Sequence, residues 1–196
     1  MKKPKIIVLV GESSSGKDKF LNHIVNLTCI KKIISHTSRP MRNNEIQDMD
    51  YHFVEKEVML KMKEKDKFIE TRDYIVANNE TWYYGISKDE IDLNDDNIYI
   101  TILDFQGLKT FENYFGKEKI LSIFLDVDAR TRVIRSLKRE GNIDDMQVLE
   151  VARRLLDDNI NVKPAKEYCD LVFKNNVEQD LSTNTFFIRD LLERMH

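Results

Sequence analysis

Three features of this 196-residue chain predict an α/β fold built on a mainly parallel sheet. Short β-branched and aliphatic runs alternate with helical patterns. The first run leads through a glycine-bounded loop straight into a helix. The length suits one hydrophobic core better than two.

The elements follow in chain order. Ile6 to Val10 is a continuous apolar run of strand length, and Lys17 to Leu27 places Phe20, Leu21, Ile24 and Val25 on one helical face. Ile30 to Ile34 predicts a second strand, after which Ser35 to Asp50 is aperiodic, polar and turn-rich. Tyr51 to Val54 is extended, and Glu55 to Lys67 is a charged helix with Val58, Met59 and Met62 facing inward. Tyr74 to Ala77 and Glu80 to Tyr84, joined at Asn78-Asn79, predict a hairpin whose turn residues tolerate positive φ. Ile98 to Leu103 and Ile120 to Leu125 are buried strands, each followed by a helical pattern. Leu171 to Phe173 precedes a last helix carrying Ile188, Leu191, Leu192 and Met195. Residues 35 to 90 break the strand–helix rhythm and predict an inserted subdomain. The charged stretch from Arg130 to Asp158 predicts two helices joined near Gly141.

Composition excludes several classes. A net charge of −3 supplies no general basic field, so neither nucleic acid nor an anionic membrane is expected as a partner. The apolar runs are far shorter than the ~18 residues of a membrane span, and the Lys2, Lys3, Lys5 start does not lead into a signal peptide, which predicts a cytoplasmic location. Cys29 and Cys169 lack CxxC spacing, and the four histidines form no HxxxH pattern, so a zinc site is not expected. Oligomeric state is not legible.

The chemistry begins at Gly11-Glu12-Ser13-Ser14-Ser15-Gly16-Lys17, which fits GxxxxGK between a strand and a helix. In such a loop backbone N–H groups converge on phosphates, the helix N-terminus adds positive charge, and the lysine reaches the β and γ oxygens. Gly11, Ser13, Ser14, Ser15, Gly16, Lys17 and Asp18 are the expected ATP-binding residues. Asp18 stands where Ser or Thr usually holds Mg²⁺. It is expected either to bind that ion, directly or through water, or to cap the first helical turn.

A second anion site is written in Ser35-His36-Thr37-Ser38-Arg39-Pro40-Met41-Arg42-Asn43-Asn44-Glu45, continuing to Asp50-Tyr51-His52-Phe53. Here the sequence resembles the guanylate kinase family, whose signature reads T-[ST]-R-x-x-[RK]-x-x-E and then Y-x-F. The resemblance implies a P-loop kinase three-layer fold: a mainly parallel five-stranded core sheet with helices on both faces, an inserted monophosphate-binding subdomain and a helical lid. It implies one domain, with core segments 1–34, 91–134 and 151–196, an acceptor subdomain 35–90 and a lid 135–150. Ser35, Arg39, Arg42, Glu45 and Tyr51 each map onto acceptor-binding positions of the family, in which the arginines and the tyrosine grip the acceptor phosphate, a task suited to guanidinium and phenol groups. Phe68-Ile69-Glu70 falls where the family has a glutamate reading N1–H and N2–H of guanine. Tyr84 of Tyr83-Tyr84-Gly85 is a further phosphate donor, and Asp104 of Asp104-Phe105-Gln106-Gly107 approaches the base. Arg135, Arg139 and Arg154 are similar to the lid arginines, which with Lys17 and Arg39 would neutralise charge on the transferring phosphoryl group.

The resemblance therefore implies ATP and Mg²⁺ with GMP or dGMP as acceptor. Two other readings stay open: a related kinase for another deoxynucleotide or a ribose phosphate, and a non-catalytic module binding a phosphorylated peptide. Departures from the family pattern are Asp18, Ile86 in place of a hydroxyl residue, Ile102 in place of an aspartate, a longer Glu70–Tyr84 interval, and Arg139-Glu140-Gly141-Asn142 at the lid. Of only 6 glycines, Gly11, Gly16, Gly85, Gly107 and Gly141 lie at expected site segments, while Gly116 reads as a helix cap.

Overall fold

The computed structural model describes residues 4–42, 45–75, 80–140 and 145–194, leaving the side chains at 139, 140, 146 and 147 undescribed. A five-stranded sheet runs in the order β2 (Lys31–Lys32), β7 (Tyr99–Ile102), β1 (Ile6–Val10), β8 (Ile120–Asp126), β9 (Leu171–Lys174), with every neighbouring pair parallel. β1 is central and wholly buried, which is why it reads as an unbroken apolar run.

Successive β1 side chains alternate between two cores. Ile7 and Leu9 face α1 (Lys17–Leu27) and α7 (Glu178–Arg194) through Phe20, Leu21, Ile24, Leu181 and Ile188. Ile6, Val8 and Val10 face α3 (Phe105–Phe115) and the short α6 (Ala165–Tyr168) through Leu108, Phe111, Phe115 and Ala165. The three-layer architecture follows from that alternation. Gly116 caps α3 at φ 92°, in the left-handed region where glycine is favoured.

Between β2 and β7 the chain builds a second sheet in the order β4 (His52–Phe53), β3 (His36–Thr37), β6 (Thr81–Ser87), β5 (Phe68–Ile75), with α2 (Lys56–Glu64) beside it. Ile69 and Ile86 tie it to the Leu103–Leu108 side of the core. Two expectations are corrected here. The second strand of the main sheet is shorter than Ile30 to Ile34, because it is an edge strand paired only with β7 before the chain leaves for the second sheet. The hairpin arm begins at Phe68, not Tyr74; the polar run Glu70-Thr71-Arg72-Asp73 hides the strand pattern, and of these residues Arg72 lines a cavity. The Asn78-Asn79 turn lies outside the described residues. Helices α4 (Ala129–Glu140) and α5 (Asp145–Asn161) stand where two charged helices were expected, while the junction at Gly141 is also outside the description. No helix among the described residues is long and apolar enough to cross a membrane.

Candidate active site

The GxxxxGK loop leaves the C-terminal end of β1 and opens α1, with Gly16 at φ 88° in the N-cap position and Ser14 at φ 60°. A Cβ on Gly16 would stand 2.9 Å from Asn175 Nδ2, so both backbone angle and space demand glycine. Lys17 Nζ folds over the loop and donates to the carbonyls of Gly11 (2.7 Å) and Glu12 (2.9 Å). Burial lowers its pKa, although Asp18 and Asp158 oppose the shift.

Beneath the loop lies a buried network that sequence reasoning missed. Arg132 of α4 donates to Glu12 Oε1 (2.8 Å) and Asp158 Oδ2 (3.2 Å), and Asp158 accepts from Ser13 N (2.8 Å) and Ser13 Oγ (3.2 Å). Burial raises the Glu12 pKa, Arg132 lowers it, and Asp158 raises it again. Arg135 donates to the carbonyls of Ser15, Asn175 and Asn176, while Asn175 Nδ2 donates to Ser15 O at 2.7 Å. Ser14 and Ser136 hydroxyls meet at 2.6 Å. The only available signal for Arg132 and Asp158 was their helical spacing to Arg135 and Arg154.

Beside the loop a cavity of about 390 Å³ is lined by Asp18 of α1 and by Ser35, Arg39, Arg42, Glu45, Tyr51 and Tyr84. Seven expected residues, spread from position 18 to 84, therefore converge on one space. Arg39 is 5% exposed and pairs with both Glu45 oxygens at 2.9 and 2.7 Å; its guanidinium lies over Tyr51 and Phe53 at 5.4 and 5.5 Å. Glu45 also accepts from Arg42 N at 2.8 Å. Burial would raise the Glu45 pKa, but Arg39 and the Arg42 amide outweigh it and hold the carboxyl low. Tyr74 and Tyr84 rings pack edge-on at 5.6 Å.

Other expected residues are placed differently. Glu70 is buried, with Arg72, Tyr74 and Ile102 lining the cavity in its stead. Its pKa is raised by burial, lowered by Arg72 and raised by Asp104. Asp104 splits its carboxylate: Oδ1 caps α3 through Gly107 N (2.7 Å), and Oδ2 accepts from Tyr74 OH (3.3 Å). Tyr74 is pushed up to about 12 by burial, with Arg72 opposing and Asp104 adding. Ser87, next to Ile86, does not replace the missing hydroxyl, because its Oγ donates to Lys67 O and accepts from Asp89 N. Arg154 is engaged by Glu150 at 2.8 Å on α5, and the Arg139 side chain is outside the described residues. Gly85 and Gly107 answer packing, not phosphate: a Cβ there would meet Phe68 at 2.9 Å and Leu103 at 3.2 Å. Both cysteines are free.

A parallel sheet whose central strand feeds a GxxxxGK loop into a helix defines a P-loop nucleotide-binding protein, here with a second cluster of arginines and tyrosines around an adjacent cavity. The chain belongs to the guanylate kinase family, whose model, described as Guanylate kinase, matches residues 3–190. It is 26% identical to the guanylate kinase of Buchnera aphidicola subsp. Baizongia pistaciae across 98% of this chain and 99% of that one. The Helicobacter hepaticus guanylate kinase is 29% identical over 76% of this chain and 73% of its own. In fold, the crystal structure of guanylate kinase from Anaplasma phagocytophilum superposes with a TM-score of 0.62 at 21% identity, covering 98% of this chain and 86% of that one.

Proposed function

We propose that the protein transfers the γ-phosphoryl group of ATP to GMP or dGMP, giving ADP and GDP or dGDP. One observation carries this reading: Asp18, in the first turn of the helix opened by the phosphate loop, lines the same cavity as Arg39, Arg42, Tyr51 and Tyr84. Donor and acceptor phosphates would thus meet across a single space. Residues 35–90 are assigned to acceptor binding, 135–150 to the lid, and the remainder to the core.

The loop amides and Lys17 hold the β and γ phosphates, with Lys17 leaving its two carbonyl partners; a phosphate restores the charge that burial disfavours. Arg39, Arg42, Ser35, Tyr51 and Tyr84 grip the acceptor phosphate, and Glu45 fixes the Arg39 fork. An acceptor phosphate oxygen attacks the γ phosphorus in line as the bond to the β–γ bridging oxygen breaks, so that ADP leaves with that electron pair. Glu70 accepts from N1–H and N2–H of guanine, and Asp104 borders the base. Arg135 braces the loop from α4 in this conformation, and Arg139 and Arg154 are assigned to lid closure over ATP.

Mg²⁺ fits a site built from Asp18 and nucleotide phosphates. Asp18 is an exposed carboxylate facing the cavity, and no group of three metal-binding side chains occurs among the described residues, so phosphates and water must complete the shell. When bound, the ion offsets charge on the phosphates.

A coupled assay across GMP, dGMP, AMP, dTMP and ribose 1,5-bisphosphate tests the reading, with GMP or dGMP expected to give the highest kcat/KM. Clear preference for a non-guanine acceptor overturns it. Lys17→Ala should lower kcat by about 10²–10³-fold, the loss typical of one preorganised electrostatic donor.

A further inference from the structure

We propose that Arg72 is a specificity-determining residue of the acceptor site, its guanidinium donating to O6 and N7 of a guanine whose N1–H and N2–H groups go to Glu70. The proposal deepens the guanylate reading above and rests on it. Arg72 belongs to no motif that the family signature supplies.

Its placement follows from strand register. Along β5, Glu70, Arg72 and Tyr74 share one face, opposite Ile86, Tyr84 and Trp82 of β6. Glu70 therefore stands across from Ile86, at the position where the family carries a hydroxyl, and Ile102 lines the cavity where the family carries an aspartate. A hydroxyl is thus withdrawn from the Glu70 end of the site. The Arg72 side chain, two residues along the same strand face, lines the cavity and brings a guanidinium to it.

The geometry marks it as more than a counter-ion. Arg72 Nε lies 3.2 Å from Glu70 Oε2, and Nη1 lies 3.7 Å from Asp104 Oδ2. Yet Arg72 Nε and both Glu70 oxygens are buried and make no well-aligned hydrogen bond among the described residues. An arginine whose task was only to neutralise Glu70 would form the aligned fork seen between Arg39 and Glu45 at 2.9 and 2.7 Å. Buried polar groups left unsatisfied cost free energy, so such a pair points to a ligand that completes it.

A guanidinium beside a carboxylate presents donors next to acceptors. The matching edge runs N7, O6, N1–H, N2–H, which is guanine; arginine pairing with O6 and N7 is the commonest specific contact to that base. Adenine would turn its N6 amino donors toward the guanidinium and leave both charged groups mismatched.

Calorimetric titration of GMP and 7-deaza-GMP, which lacks only the N7 acceptor, tests this on wild type and on Arg72→Gln, with ADP titrated to confirm an intact loop. Wild type should bind 7-deaza-GMP about 5–10-fold more weakly than GMP, the scale of one hydrogen bond. Arg72→Gln should bind GMP about 10–100-fold more weakly and cease to distinguish the two ligands, since a bidentate base contact is lost. ADP affinity should stay within about twofold, because Arg72 lies outside the phosphate loop. Equal wild-type binding of GMP and 7-deaza-GMP, or a distinction that survives in Arg72→Gln, overturns the role of Arg72 while the guanylate reading stands. Wild type that binds no GMP overturns both.

Discussion

Replacing Asp158 by alanine should destabilise the protein and loosen its phosphate loop together. Asp158 and Arg132 are 6% and 5% exposed, and the carboxylate accepts from Arg132 and from both Ser13 donors at 2.8–3.2 Å. Asp158→Ala leaves Ser13 N–H without its acceptor and Arg132 with Glu12 as its remaining carboxylate. Removing one partner of a buried pair costs roughly 3–5 kcal/mol, and the surviving Glu12 contact places this case near about 3 kcal/mol. For a chain of this length that corresponds to a fall in Tm of about 6–12 °C. Urea denaturation followed by circular dichroism should show a lower midpoint at unchanged slope, with a raised KM for ATP. Arg132→Ala should then cost less in the Asp158→Ala background than in wild type, because the two residues share one network. A loss under about 1 kcal/mol, or strict additivity of the two substitutions, would refute the view that this buried network braces the loop.

Gly16→Ala forces a Cβ to 2.9 Å from Asn175 Nδ2 at φ 88°, so it should cost about 1–2 kcal/mol in unfolding and weaken ATP binding measured by calorimetry. Glu150 is held at about 2, first by hydrogen bonding to Arg153, against burial, and then by Arg154. Because a depressed carboxyl stabilises the fold above its ordinary value of 4.5, the contribution should be present there and disappear as pH falls toward 2. Half-exposed partners keep it small. NMR titration should find the Glu150 carboxyl moved up toward its ordinary range in Arg153→Ala, with Arg154 keeping part of the depression; an unmoved midpoint would show that Arg153 is not the main cause.

Much of the fold was legible because its signals are local. Ile6 to Val10, Tyr99 to Ile102 and Ile120 to Leu125 are buried on both faces of a parallel sheet, so their apolar runs needed no knowledge of partners. β5 was legible only at its far end: Glu70 and Arg72 break an apolar pattern while occupying strand positions, since the chemistry of the cavity overrides β-propensity there. β3 is two residues long and exists through pairing with β4 and β6, which no local pattern announces.

For the site the division is similar. The phosphate loop and the residues from Ser35 to Tyr51 could be read directly, because phosphate binding demands glycine, lysine, arginine and tyrosine at short, fixed spacings. Tertiary structure alone decided that Glu12, Arg132 and Asp158, separated by up to 145 positions from their partners, close a buried network under that loop. It also decided that Arg72 lines the cavity beside Glu70. A buried charge is tolerable only where distant chain segments bring its partner, and that is set by packing, which no single stretch of sequence contains.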